Sequence, residues 1–125
     1  MTKIEALLAQ FEKALGRLKE VLAVEETDIV RDSAIQRFEF TFDLSWKMVK
    51  EFLREEKGII CNSPKDCFRE AYQQGIIEYD NQWIEFVDMR NETVHTYNEE
   101  NAKKIYKELP KVLGYFEQLL EKIKK

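Results

Sequence analysis

Apolar residues recur every three or four positions along most of this chain, a spacing typical of amphipathic helices. The first such pattern runs from about Ile4 to Val24. Its apolar positions share one helical face: Leu7, Leu8, Phe11, Leu15, Leu18, Val21 and Leu22. The polar segment Glu25–Asp28 interrupts the pattern, and Thr27 or Asp28 can cap a second helix. The first half of the chain is therefore predicted to hold two long helices.

The second helix is predicted to run to about Lys57, with Gly58 as its stop. Within it, FEFTFDL alternates like a strand, but the apolar pattern continues well beyond it, so length favours a helix. One arc of this helix holds Ile35, Phe38, Phe42, Trp46, Val49 and Leu53. A second ridge, Phe40, Leu44 and Met48, lies nearly opposite Phe38. Because a small bundle cannot easily bury both sides of one helix, this ridge predicts a homodimer. The alternative is burial against the last helix of the same chain.

The second half of the chain contains signals for three further helices. Ser63 and Pro64 begin a short helix, as N-cap and first helical residue, and this helix is predicted to end at Gly75. Asp80 can cap a fourth helix that runs from Asn81 to about Val94.

A last helix is predicted from Glu99 to Lys124, with Asn98 as its cap. Pro110 lies inside it and should kink it or start it afresh. Together the patterns predict an all-α fold, an antiparallel four-helix bundle with an additional short helix. No linker or repeat divides residues 1–125, so the prediction is a single domain.

The composition supports this fold and restricts the function. With 44% hydrophobic and 35% charged residues but only four Gly and two Pro, the chain is rich in helix formers and not disordered. Its formal net charge of -4 argues against extended DNA binding, which requires a basic excess. A small local nucleotide or RNA site remains compatible with this charge.

The N-terminus and the cysteines indicate a compartment. The first twenty residues carry charges throughout, and no apolar run approaches membrane-spanning length, so we expect no membrane contact and a cytoplasmic location. Cys61 and Cys67 form no Cys-x-x-Cys motif and have no neighbouring histidine. We therefore expect two reduced thiols, no metal site and no cofactor.

The only histidine, His95, lies in RNETVHTY, residues 90–97. In a continuous helix, Arg90 and His95 would lie about 140° apart and would not converge. They could meet if the helix ends near Val94, or if two copies of the chain meet across a two-fold axis.

A structural interpretation of this segment is the simplest. His95 and Tyr97 would contact the last carbonyls of a helix, and Arg90 would pair with Asp88 or Glu92. The functional interpretation gives each group a chemical task. The guanidinium holds a phosphate, the imidazole moves a proton, and the tyrosine donates a hydrogen bond or accepts a modification.

Two long motifs resemble a known family. AIQRFEFTFDLSWKMVKEFL, residues 34–53, resembles the signature helix of the nucleotidyltransferase substrate-binding protein family. RNETVHTY matches its second signature, Arg-Asn-x-x-x-His-x-Tyr. Ser-Pro-Lys-Asp before the third helix and Asn-Glu-Glu-Asn-Ala before the last also fit, so the resemblance spans nearly the whole chain. The family is related to the HepT toxins of the HEPN superfamily.

This resemblance implies a homodimeric helical bundle that serves as the substrate-binding or partner subunit of an MntA-like minimal nucleotidyltransferase. Asn91 matches the motif, and Tyr97 would be the candidate AMP acceptor. The alternative implied by the HepT branch is a metal-independent ribonuclease toxin with Arg90 and His95 as its catalytic pair. A scaffold without chemistry is the third interpretation.

Overall fold

A computed structural model of the chain describes residues 1–78 and 81–124. Within these ranges it contains five α-helices and no strand, which confirms the all-α prediction. The helices are α1 (Lys3–Leu22), α2 (Asp28–Lys57), α3 (Pro64–Gln73), α4 (Asn81–Glu92) and α5 (Glu99–Lys124). A short 3₁₀ turn, Thr93–His95, follows α4. None of the described helices is long and apolar enough to cross a membrane.

The core lies between α1, α2 and α5, and α3 and α4 pack against it. Phe116 of α5 is fully buried at its centre. Its ring contacts the rings of Phe11 on α1, Phe38 on α2 and Trp83 on α4, with centroids 5.6, 6.5 and 5.9 Å away. Because one large aromatic side chain joins four helices here, this cluster fixes how α4 sits on the bundle.

The predicted caps form as the sequence indicates. Thr27, Ser63 and Asn98 each accept a hydrogen bond from the backbone N–H three residues further on, at 3.1, 3.2 and 3.2 Å. Gly58 ends α2 in the left-handed region, with φ of 66°. Gly75 follows α3 with φ of 75°. These local signals therefore set most helix boundaries.

Some predicted boundaries shift. α1 ends at Leu22 rather than Val24, and α4 ends at Glu92 rather than Val94. Pro110 lies inside one continuous α5, so it does not begin a new helix. Asp80, the predicted cap of α4, lies outside the described residues.

Within the predicted second ridge of α2, Met48 is fully buried in the core of the single chain, so no dimer is needed to bury it. Leu44 is partly buried, and only Phe40 is clearly exposed, at 57%. The reason is that α2 packs against α1, α3 and α5 and, over a smaller area, against α4. Four neighbouring helices give α2 a buried arc wider than its apolar stripe alone suggests.

The prediction of two reduced thiols is also wrong, because Cys61 and Cys67 form a disulfide. Cys61 lies in the segment after α2, and Cys67 lies in α3, four residues after its cap Ser63. The cap turns the chain back so that the two Cα atoms are 5.2 Å apart, within the range that a disulfide spans. The bond ties the α2–α3 connection to α3.

Candidate functional site

The last turn of α4 places Arg90 against α2. Its Nε lies 3.0 Å from Oδ1 of Asp43 and its Nη2 lies 3.1 Å from Oδ2, so the two groups form a bidentate pair. Its Nη1 donates to Oε2 of Glu39 at 3.0 Å. Glu39 and Asp43 are four residues apart on α2, which puts both carboxylates on one helical face.

Thr93 completes this cluster. Its side chain is buried, and Oγ1 accepts a hydrogen bond from Nη1 of Arg90 at 3.0 Å. The same Oγ1 lies 2.7 Å from the backbone carbonyl oxygen of Arg90 and 3.1 Å from Oε2 of Glu39. A hydroxyl has one proton, so Thr93 donates to one of these two oxygens at a time. We call Arg90, Glu39, Asp43 and Thr93 the arginine cluster.

The arginine cluster occupies most of the hydrogen-bonding capacity of Arg90. A guanidinium has five N–H groups. Four of these donate here: one from Nε, two from Nη1 and one from Nη2. Hydrogen bonding to Asp43 raises the pKa of Arg90 above its ordinary value, against the opposing effect of burial. Two carboxylates face one cation, so Arg90 connects α4 to α2, and one of its five N–H groups has no partner among the described residues.

Beyond the cluster, the chain leaves the helix and exposes the rest of the motif. The hydroxyl of Thr96 donates to the carbonyl of Thr93 at 3.0 Å, and the N–H of Asn98 donates to the carbonyl of His95 at 3.1 Å. These bonds hold a tight turn between α4 and α5. Tyr97 projects from it with 86% of its surface exposed.

His95 and Tyr97 lie side by side on this turn. Their ring centroids are 6.0 Å apart, and the rings are nearly perpendicular, at 76°. Within residues 1–78 and 81–124, neither side chain makes a hydrogen bond. Threonine hydroxyls, rather than His95 and Tyr97, contact the last carbonyls, so this part of the structural interpretation is wrong. Both rings are accessible from outside.

A shallow recess connects Tyr97 to the arginine cluster. It has a volume of about 360 Å³ and is lined by Asp32, Ile35, Gln36, Glu39, Thr96 and Tyr97. Glu39 belongs to both the recess and the cluster, so one carboxylate links Arg90 to the surroundings of Tyr97. We call this the tyrosine recess.

The structure thus brings some of the predicted residues together. His95 and Tyr97 are neighbours, and Arg90 is bonded to Glu39, which lines the same recess as Tyr97. No hydrogen bond joins Arg90 to His95 in the part of the chain that the structure describes, and Asn91 is exposed.

The expected pairing of Arg90 with Asp88 or Glu92 is wrong, because α4 directs Arg90 to α2 while Asp88 pairs with Lys65 at 2.9 Å.

Sequence reasoning missed three members of the cluster: Glu39, Asp43 and Thr93. A signal for two of them was available. Glu39 and Asp43 are the acidic residues inside the otherwise apolar FEFTFDL, at a spacing of four. Two carboxylates on one face of a largely buried helix call for a cation from another element. Among the described residues, no group of three or more His, Cys, Asp or Glu could hold a metal ion.

Comparison with known proteins shows which family has these sequence features. The sequence model described as nucleotidyltransferase substrate binding protein like matches residues 6–125, which include both the α2 signature and the whole motif after α4. The chain belongs to this family. A family relative from Haemophilus influenzae, described as a probable ribonuclease HepT, is 36% identical over 107 residues, which cover 79% of this chain and 73% of the relative.

Solved structures share the fold. A protein of Thermus thermophilus is 41% identical, with a TM-score of 0.88 over 92% of this chain and 99% of its own. A Haemophilus influenzae structure, described as the fold of a substrate binding domain of a nucleotidyltransferase, is 30% identical, with a TM-score of 0.74 over 98% and 97%. A tri-AMPylated HEPN toxin of Shewanella oneidensis in complex with an MNT antitoxin is 22% identical, with a TM-score of 0.80 over 99% and 98%. At that identity the likeness shows the fold alone.

Proposed function

We propose that this chain is the partner subunit of an MntA-like minimal nucleotidyltransferase and that Tyr97 is its AMP acceptor. The observation that carries the proposal is the exposure of Tyr97, 86%, on the turn between α4 and α5. A side chain that must enter another enzyme's active site has to project from its own surface. Membership in the family supports the partner role, and the AMPylated toxin with the same fold gives a precedent for the modification.

The transfer is chemically consistent with this geometry. The phenol oxygen of Tyr97 attacks the α-phosphorus of ATP held by the nucleotidyltransferase, and a P–O bond forms. Pyrophosphate leaves with the electron pair of the broken bond, and the phenol proton passes to a base in the nucleotidyltransferase site. The product carries a phosphodiester with one negative charge beside His95. The adenylyl group would cover the exposed imidazole and block access to it.

We further propose that two copies of the chain associate through the face beside the arginine cluster. Phe40 follows Glu39 on α2 and is 57% exposed, and Val94 follows Thr93 and is 67% exposed. These apolar side chains flank the cluster on two elements, and exposed apolar surface of this kind is typical of an interface. In such a dimer the two motifs would approach each other.

Light scattering tests the dimer. The expected mass is twice 15.0 kDa, and Phe40→Asp or Val94→Asp should reduce it to that of the monomer. Ile60→Asp is the matched control, because Ile60 is also 67% exposed but follows the end of α2. A monomer mass for the wild-type protein at micromolar concentration would rule the dimer out.

Co-purification tests the partner role. The chain and an MntA-like nucleotidyltransferase encoded beside it should elute as one complex from a size-exclusion column, and Tyr97→Phe should still bind. Separate elution of the two wild-type proteins would exclude the partner role.

A second candidate function is a metal-independent ribonuclease with His95 as the base and Arg90 as the phosphate contact. The accessible imidazole of His95 favours it, as does the relative described as a ribonuclease. The commitment of Arg90 to two carboxylates weighs against it in a single chain. Unmodified protein should then degrade RNA in the presence of a metal chelator, and His95→Ala should not. An inactive wild-type protein would exclude this candidate.

A further inference from the structure

A second recess lies beside the C-terminal half of α2 and has no part in the motif after α4. Its volume is about 310 Å³, within the usual range for small-molecule sites. Leu7, Trp46 and Ile59 give it an apolar lining, and Lys3, Lys47, Lys50 and Arg54 give it four cations. We call it the basic recess.

The charge of the basic recess is opposite to that of the whole chain. Glu51 is the only acid among the described residues that line it, so four cations and one carboxylate leave a formal charge of +3. The chain as a whole carries -4. Cations concentrated in one concavity of an acidic protein attract anions to that place.

The single acid is already neutralised. Nε of Arg54 lies 3.0 Å from both carboxylate oxygens of Glu51, and Nη2 lies 2.6 Å from Oε1. Lys3, Lys47 and Lys50 are different, because no carboxylate of the described residues lies within 4.0 Å of their ammonium groups. Three ammonium groups are therefore free to contact an anion.

Trp46 gives the recess a flat aromatic surface. It is only partly buried, and Lys50 Nζ lies 5.8 Å from the centroid of its ring. Its indole N–H has no acceptor within residues 1–78 and 81–124 and is not buried, so it can donate to a ligand. A residue kept only for packing would resemble Trp83, which is 2% exposed within the aromatic core.

The disulfide fixes one wall of the recess. Ile59, Ile60 and Cys61 line it from the segment after α2, and Cys61 is bonded to Cys67 of α3. This wall is therefore tied to the bundle at one end by the disulfide and at the other by α2. A preformed wall reduces the ordering cost of binding.

We propose that the basic recess binds a small organic anion with a flat ring, of the nucleoside monophosphate class. The ring lies against Trp46 and the apolar wall, and the phosphate lies among Lys3, Lys47 and Lys50. Every base has a flat face for stacking on an aromatic side chain, and ammonium groups bind phosphate as point charges. The proposal uses none of Arg90, His95 or Tyr97 and does not depend on the proposed partner role.

Titration calorimetry with AMP tests the site. AMP should bind, and adenosine and inorganic phosphate should each bind at least about tenfold more weakly, because each supplies half of the contacts. Fluorescence should report the same binding through Trp46, since the other tryptophan, Trp83, is buried. Phosphate that binds as tightly as AMP, or AMP that gives no heat at millimolar concentration, would overturn the proposal.

Variants locate the bound AMP. Lys47→Gln combined with Lys50→Gln should weaken AMP binding at least about tenfold. Lys111→Gln together with Lys107→Gln removes two exposed charges from α5 and should leave the affinity unchanged. AMP affinity that falls with Tyr97→Phe and not with the α2 lysines would place the nucleotide at the tyrosine recess and contradict the proposal.

Discussion

Arg90 contacts residues that are far from it in the sequence. Asp43 and Glu39 precede it by 47 and 51 positions. Its type and its motif could be recognised from the sequence, but its partners could not, because they depend on how α4 crosses α2. Acids closer in sequence, Asp88 and Glu92, were the natural expectation. The structure therefore replaces the expected pairing within α4 by a contact that holds α4 and α2 together.

The first prediction concerns Arg90→Ala. Removal of the guanidinium leaves Glu39 and Asp43 facing each other without a cation, and Thr93 loses a donor. We expect a loss of about 1–3 kcal/mol in the free energy of unfolding, measured by urea denaturation. Arg37→Ala on α2, the helix that carries Glu39 and Asp43, is the matched control. Within residues 1–78 and 81–124 the guanidinium of Arg37 makes one hydrogen bond, to Ser33 at 3.3 Å, so its loss should cost less than about 0.5 kcal/mol. Equal losses for the two variants would contradict the positioning role of Arg90.

At the scale of helices, the sequence predicted the helix boundaries that local hydrogen bonds determine. Thr27, Ser63 and Asn98 cap helices because their side chains bond backbone groups three residues away, so no knowledge of the fold is required. The burial of Met48 and the bond between Cys61 and Cys67 depend on how segments pack or turn back on each other. A helical wheel shows which residues of one helix share a face, but it does not show which other segments pack against that face.

The second prediction compares two glycines. Gly58 ends α2 with a backbone φ of 66°, in a region that residues other than glycine rarely adopt. Gly58→Ala should therefore lower the free energy of unfolding by about 1 kcal/mol. Gly114 lies inside α5, with no atom within 4 Å of an added Cβ. Gly114→Ala should raise stability by about 0.5–1 kcal/mol. Thermal unfolding should show shifts of opposite sign, and shifts of the same sign would contradict the assigned cap.

At the scale of the whole molecule, the two recesses carry opposite charges. Asp32 and Glu39 line the tyrosine recess, while the basic recess is lined by lysines that have no carboxylate partner among the described residues. Glu51 is the exception in the basic region, since it is 4% exposed and bonded to Arg54. That hydrogen bond lowers the pKa of Glu51 below its ordinary value of 4.5, against the opposing effect of burial. A carboxylate with a lowered pKa stabilises the fold above its ordinary pKa, and this contribution is lost as pH falls through the lower value.

The third prediction follows from this sign. Glu51→Gln should be less stable than the wild-type protein at neutral pH, and the difference should shrink as pH falls below 4.5. Arg54→Gln should also lower the free energy of unfolding at neutral pH, with a difference that shrinks at low pH. It removes the hydrogen bond that is the main cause of the lowered pKa of Glu51. Urea denaturation across this pH range measures both. A difference that stays constant with pH would show that the Glu51–Arg54 pair does not contribute to acid sensitivity.

The central claim is that Tyr97 accepts AMP from a partner nucleotidyltransferase. Intact mass after co-expression with that enzyme tests it most directly, with Tyr97→Phe beside Tyr72→Phe. Tyr72 is the matched control, since it is 43% exposed on α3 but outside the motif. The wild-type protein and Tyr72→Phe should each gain one or more AMP units, and Tyr97→Phe should gain none. A Tyr97→Phe protein that still carries AMP, or a wild-type protein that carries none, would contradict the account.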